Sequence, residues 1–158
     1  MEHVKRDFVI PDSHFFLLGP RGTGKSTLLK RNLDDYLYID LLQPDIFRNY
    51  SSYPERLRES VQANPKKKRV VIDEIQKIPD LLSVVHSLIE DNGDKQFILT
   101  GSSARKLRKE GVNLLGGRAL KKTMAPFTAA ELGDRFNLPD ALQFGMIPVI
   151  FSSEARAE

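Results

Sequence analysis

The sequence predicts an α/β domain in which helices cover both faces of a parallel sheet, and three observations carry that prediction. The apolar run Phe15-Phe16-Leu17-Leu18 breaks into Gly19-Pro20-Arg21-Gly22-Thr23-Gly24-Lys25-Ser26, and apolar residues then resume at helical spacing with Leu28 and Leu29. That is the strand, loop and helix order a phosphate-binding loop requires. A second run, Val70-Val71-Ile72, ends in Asp73-Glu74, as in a strand buried on both faces with its working residues at the C-terminal end. Five short apolar runs alternate with helical patterns, which suits parallel strands joined by right-handed crossovers.

The phosphate loop has a physical logic. Gly19, Gly22 and Gly24 permit backbone angles and close approaches that a Cβ forbids, so successive N–H groups can turn inward around an anion. The helix that follows adds its positive end. Lys25 sits where its ammonium reaches the outer phosphates, and Ser26 where its hydroxyl can ligate Mg²⁺. The whole binding stretch is Gly19, Pro20, Arg21, Gly22, Thr23, Gly24, Lys25, Ser26 and Thr27.

Composition sets the bounds. A chain of 158 residues is long enough for one core, burying about 68–70% of its unfolded surface. Hydrophobic residues at 41% and charged residues at 28% are ordinary for a globular domain, and no apolar run approaches the roughly 20 residues that span a bilayer. The start, Met1-Glu2-His3-Val4-Lys5-Arg6-Asp7, has no signal-peptide pattern, so a cytoplasmic protein without membrane contact is expected. The absence of cysteine excludes disulfides, thiolate metal sites and cysteine nucleophiles, and three scattered histidines argue against a histidine zinc site. Lys+Arg 24 against Asp+Glu 21 gives +3, too mild by itself to imply nucleic acid.

Taken in order, residues 1–13 form an entry segment with Phe8, Val9 and Ile10 apolar and Pro11-Asp12 as a turn signal, a place where adenine packs in many phosphate-loop proteins. Residues 14–18 are the first strand, the loop helix runs to about Asn32, and Tyr36 to Leu42 is a second strand. Pro44-Asp45 starts a short helix, and a second after Tyr53-Pro54 carries Leu57 and Val61 inward. Lys66-Lys67-Lys68-Arg69 reads as a solvated loop whose charges protect the strand it leads into, with a nuclear-import signal as the other reading. Pro79 to about Glu90 is helical, and Gln96-Phe97-Ile98-Leu99-Thr100 is another buried strand.

Ala104 to Lys109 reads as helix and Ala119 to Met124 as the last strand. Thr128-Ala129-Ala130-Glu131 is a capping box opening a helix through about Phe136, and Pro139 to Phe144 forms a final turn. Residues 151–158 read as a polar tail behind a domain of residues 1–150.

The chemistry follows from these placements. Two adjacent carboxylates after a buried strand are costly unless they serve a cation or a proton transfer. Asp73 fits the Walker B role of holding Mg²⁺, and Glu74 the role of orienting and deprotonating the attacking water. Thr100-Gly101-Ser102-Ser103 places hydroxyls beside these acids if the sheet is parallel, so Thr100 or Ser102 can sense the γ-phosphate; a simple turn or cap is the alternative. Arg105 to Lys122 is the most basic stretch, a solvated helix face or a weak nucleic-acid patch.

Leu18 to Ser26, Asp73-Glu74-Ile75-Gln76-Lys77-Ile78-Pro79, Leu99-Thr100-Gly101-Ser102-Ser103, Gly117-Arg118, Pro126-Phe127 with Glu131-Leu132, and Gly145-Met146-Ile147-Pro148 together resemble the prokaryotic AAA-type ATPases that join an ATPase module to a C-terminal domain of unknown function. The likeness spans roughly Phe15 to Val149, and D-E-I-Q-K-I-P followed by L-T-G-S-S is its most specific part. It implies a three-layer P-loop NTPase fold of the AAA+ (ASCE) type, with a five-stranded parallel sheet of order 5-1-4-3-2, and Mg²⁺-dependent hydrolysis of ATP to ADP. The implied roles fall on Lys25, Ser26, Asp73, Glu74 and the Thr100/Ser102 region. It also makes Arg118 a candidate arginine finger or nucleotide sensor, with homo-oligomer assembly through Arg118 as a corollary. On this resemblance the 158 residues are expected to correspond to the ATPase module alone, without the family's C-terminal domain.

Other functions remain open at this level. A small-molecule kinase also uses G-x-x-G-x-G-K-S, but the Asp73-Glu74 pair favours water activation. A GTPase is disfavoured because no Asn-Lys-x-Asp motif occurs. A truncated nucleotide-dependent switch, or a nucleic-acid adaptor with little ATPase activity, is the non-enzyme reading.

Overall fold

A computed structural model describes residues 4–91, 93–102 and 115–148. Its five strands are β1 (Phe15–Leu18), β2 (Tyr36–Asp40), β3 (Arg69–Asp73), β4 (Gln96–Gly101) and β5 (Leu120–Thr123). They form one sheet in the order β2-β3-β4-β1-β5, with all four pairings parallel. This is the expected 5-1-4-3-2 order read from the other edge. Six α-helices are described: α1 (Lys25–Asn32), α2 (Pro44–Ser52), α3 (Arg56–Gln62), α4 (Leu81–Glu90), α5 (Ala129–Leu132) and α6 (Leu138–Phe144). None of the described helices is long and apolar enough to cross a membrane.

Period-2 alternation sorts the strand residues onto two faces. Phe16, Leu18, Ile39, Val70, Ile72, Phe97 and Leu99 point to one side, where Tyr50 of α2, Leu57 and Val61 of α3 and the apolar stripe of α4 cover them. Phe15, Leu17, Val71 and Ile98 point to the other, against Leu28 and Leu29 of α1, with Phe8 and Ile10 of the entry segment packed alongside. Because both faces are covered, β1, β3 and β4 read as unbroken apolar runs. β5 is the exception. It is an edge strand whose four residues are all exposed, and Lys121 and Lys122 blunt that edge.

The loop before β3 is held from inside. Lys95 Nζ donates to the carbonyls of Asn64 (2.7 Å) and Pro65 (3.3 Å), while Arg69 donates to Gln96 Oε1 at 3.1 Å and to the Asp34 carbonyl at 3.0 Å. Arg69 therefore serves the fold, unlike its exposed neighbours Lys66 and Lys68.

Both capping-box hydrogen bonds expected at Thr128 and Glu131 are present. The helix they open is shorter than expected. Gly133 has φ 53, so α5 stops at Leu132 and gives way to a 3-10 turn, Gly133–Arg135. Glu131 also binds the start of the chain, for its Oε1 lies 3.1 Å from Arg6 Nε and accepts the Asp7 N–H at 2.9 Å. Arg6 also lies over the Phe127 ring, 4.8 Å from its centroid, and burial pulls its guanidinium below its ordinary range against the pull of Glu131. Val4, Phe127 and Leu132 make a small apolar cluster at this junction, which fastens the entry segment to the end of the fold. The tail and most of the basic stretch, including the helix expected from Ala104, fall outside the described residues.

Candidate nucleotide-binding site

The site lies at the C-terminal ends of β1, β3 and β4, where parallel strands deliver their terminal residues to one edge. The loop after β1 needs its glycines. A Cβ on Gly19 would fall 2.1 Å from the Met124 carbonyl oxygen, and Gly22 and Gly24 have φ 83 and 86. Gly24 is the N-cap of α1 and offers no side chain to the helix, whose first turn also lacks an acid. The free N–H groups at the start of α1 are thus left for an anion. Thr23, fully buried, donates to the Pro20 carbonyl at 2.9 Å and closes the loop on itself. Pro20, Arg21 and Thr27 are exposed around it.

Lys25 is 5% exposed, and its Nζ donates to the carbonyls of Gly19 (2.7 Å) and Pro20 (3.0 Å). Burial pushes its ammonium below its ordinary range, while Glu74 and Asp73 pull it back up. A buried cation hydrogen-bonded to two neutral carbonyls, beside a helix N-terminus that no side chain caps, suits a phosphate.

Ser26 Oγ donates to Asp73 Oδ2 at 2.7 Å, joining the phosphate loop to the acid-tipped strand. Two more hydroxyls serve the same carboxylate: Tyr38 donates to Oδ2 and Thr100 to Oδ1. Asp73 is 4% exposed, and three donors make its buried charge tolerable. Tyr38 has no sequence-level expectation attached to it. In the β2–β3 register Tyr38 pairs with Val71 and Asp40 with Asp73, so Tyr38 projects on the same face as Asp73, beside α1. Burial, reinforced by the bond to Asp73, raises the Tyr38 phenol well above its ordinary range and keeps it a donor.

Glu74 adopts φ 62 and ψ 48, a left-handed conformation unusual for a non-glycine residue, and such strain gathers at functional sites. Its N–H donates to Thr100 Oγ1 at 3.0 Å. Gln76, in the 3-10 turn Ile75–Lys77, donates from Nε2 to the Glu74 carboxylate and lies 3.4 Å from Ser102 Oγ. Thr100 is therefore buried and committed to Asp73 and Glu74, whereas Ser102 stands half-exposed at the tip of β4.

Arg118 is not part of this cluster. It follows the turn Leu115–Gly117 and pairs with Glu90 at the end of α4. Leu120 pairs with Phe15, the first residue of β1, so Arg118 lies at the end of the sheet opposite its own phosphate loop.

The donor set fits a nucleotide with Mg²⁺. Among the described residues there is no group of three His, Cys, Asp or Glu side chains that could hold a metal. Mg²⁺ needs none, since it is held by one or two protein oxygens together with substrate phosphates and water. Ser26 and Asp73 would supply those oxygens.

Sheet order and site together define a P-loop module of AAA+ architecture. The AAA domain family matches residues 12–133, and the chain belongs to that family. No curated protein matches it. Among solved structures it is similar to the Orc1 protein of Aeropyrum pernix in complex with DNA, at 18% identity and a TM-score of 0.51, covering 77% of this chain and 42% of that one. It is also similar to domain III of the Thermotoga maritima replication initiation protein DnaA, at 14% identity and a TM-score of 0.44, covering 74% of this chain and 56% of that one. The chain thus spans less than half of the Orc1 chain, and the likeness is one of fold.

Proposed function

We propose that residues 1–150 form a cytoplasmic ATPase module that binds Mg-ATP across Gly19–Thr27 and hydrolyses it to ADP and phosphate. The observation that carries this reading is the 2.7 Å bond from Ser26 to Asp73, which brings the phosphate loop and the Asp73-Glu74 pair into one site. Lys25 and the loop N–H groups bind the phosphates. Mg²⁺ held by Ser26 and Asp73 would neutralise charge on the phosphate oxygens. Glu74 directs a water molecule at the γ-phosphorus and takes its proton as the new P–O bond forms and the bond from the γ-phosphorus to the bridging oxygen breaks, that oxygen leaving on ADP. Thr100 keeps Asp73 and Glu74 in place, and Ser102, which accepts from Gln76 at 3.4 Å, keeps its own hydroxyl proton for the γ-phosphate. Arg118 acts on a neighbouring copy, because it lies at the far end of its own sheet.

Glu74→Gln is expected to keep ATP affinity and lower the single-turnover rate about 10²–10⁴-fold, since it preserves shape and removes the base. Hydrolysis at the wild-type rate in this variant would end the proposal.

The basic stretch from Arg105 to Lys122 is read as binding nucleic acid weakly and without sequence preference. A mobility-shift series across salt concentrations checks this. Tight, salt-resistant binding to one sequence would favour the adaptor reading instead.

A further inference from the structure

Taking Glu74 as the base, as proposed above, we propose that Gln76 is its positioning residue, holding the carboxylate in line and tying it to the tip of β4. Gln76 folds back from its turn so that its amide nitrogen donates to Glu74 and reaches toward Ser102 Oγ at 3.4 Å. Among the described residues its amide oxygen, which is buried, has no hydrogen-bond partner. Leaving a buried acceptor unmade is unfavourable, so this side chain is held for its donor end. Reversing the amide would set its oxygen against the Glu74 carboxylate, which excludes that arrangement.

The space for the amide is made by Gly101. A Cβ there would stand 2.9 Å from Gln76 Oε1. On the other side, Ile75 is fully buried and pins the turn, and Glu74 is fixed through its own N–H to Thr100. The backbone of Glu74 is therefore set by Thr100 and its carboxylate by Gln76. A base must be oriented as well as present, and a misplacement of about 1 Å can cost about 10²-fold in rate.

The test is single-turnover hydrolysis by Gln76→Met, which keeps length and removes the donor, measured together with ATP affinity and thermal unfolding. The expected result is a rate about 10–100-fold lower, with affinity and unfolding temperature near wild type. Gly101→Ala, which leaves Gln76 in the chain but crowds its amide, is expected to reproduce the loss. The decisive arm is the double variant Gln76→Met with Glu74→Gln. If Gln76 acts through Glu74, adding Gln76→Met to Glu74→Gln costs no further rate. If Glu74→Gln is slow while Gln76→Met runs at or above the wild-type rate, or if the two losses add in full, the positioning role is wrong although the base assignment stands. If Glu74→Gln itself hydrolyses at the wild-type rate, the base assignment fails first.

Discussion

Lys25→Ala is expected to lose ATP binding. The ammonium is the buried cation of the phosphate loop, held by the Gly19 and Pro20 carbonyls at 2.7 and 3.0 Å. A hydrogen bond to a charged group contributes about 1.5–3 kcal/mol, and Lys25 can offer more than one to the phosphates. The dissociation constant should therefore rise by about 10²-fold or more, since each 1.4 kcal/mol is about tenfold. The fold should persist. Burial already disfavours the charged form of Lys25, so its removal takes away a desolvated charge along with two hydrogen bonds to carbonyls. Calorimetric titration with Mg-ATP beside a thermal melt separates the two effects. Wild-type affinity in the variant would remove the phosphate loop from the account.

The second large effect concerns Arg118. Wild-type turnover per subunit is expected to rise with protein concentration, and Arg118→Ala to be slow at every concentration, with ATP affinity intact. Phosphoryl transfer is catalysed mainly by positioned charge, and an arginine supplied by a neighbour contributes about 10³–10⁵-fold. Arg118 precedes β5, whose first residue pairs with Phe15, and so lies at the end of the sheet opposite its own loop. Its pairing with Glu90 does not hold it back. Both side chains are 40–50% exposed, and an exposed pair contributes about 0–1 kcal/mol, easily exchanged for a phosphate. Fast turnover that is independent of concentration and indifferent to Arg118→Ala would remove both assembly and the trans role.

Much of this architecture is legible in one dimension because its causes are local. Phe15–Leu18 and Val70–Ile72 are short, apolar and followed by glycines or acids, and these features mark buried parallel strands and their working ends. The spacing of Gly19, Gly24, Lys25 and Ser26 depends on backbone angles within a few residues, so the loop is visible without knowing what packs around it. The capping box at Thr128 and Glu131 is equally local. The length of the helix after it is open to misreading, because the pattern through Phe136 runs past Gly133, whose positive φ ends the helix and whose glycine is the one local sign of that stop.

The strands, the phosphate loop and the Asp73-Glu74 pair are legible in the residues alone, and the order of the sheet through the family resemblance. Which side chains meet is set by the assembled fold. Tyr38 reaches Asp73 across 35 positions because the β2–β3 register sets both on the face beside α1. Gln76 finds Glu74 and Ser102 because a turn folds it over Gly101. Glu131 closes on Arg6 because the chain's entry segment returns to its end. Arg118 falls away from its own loop because β5 runs parallel to β1. The physical reason is the same in each case. Backbone angles and apolar periodicity are set within a few residues and leave a local trace, whereas a hydrogen bond between distant side chains depends on register, parity and the direction of strands, which arise only when the sheet assembles.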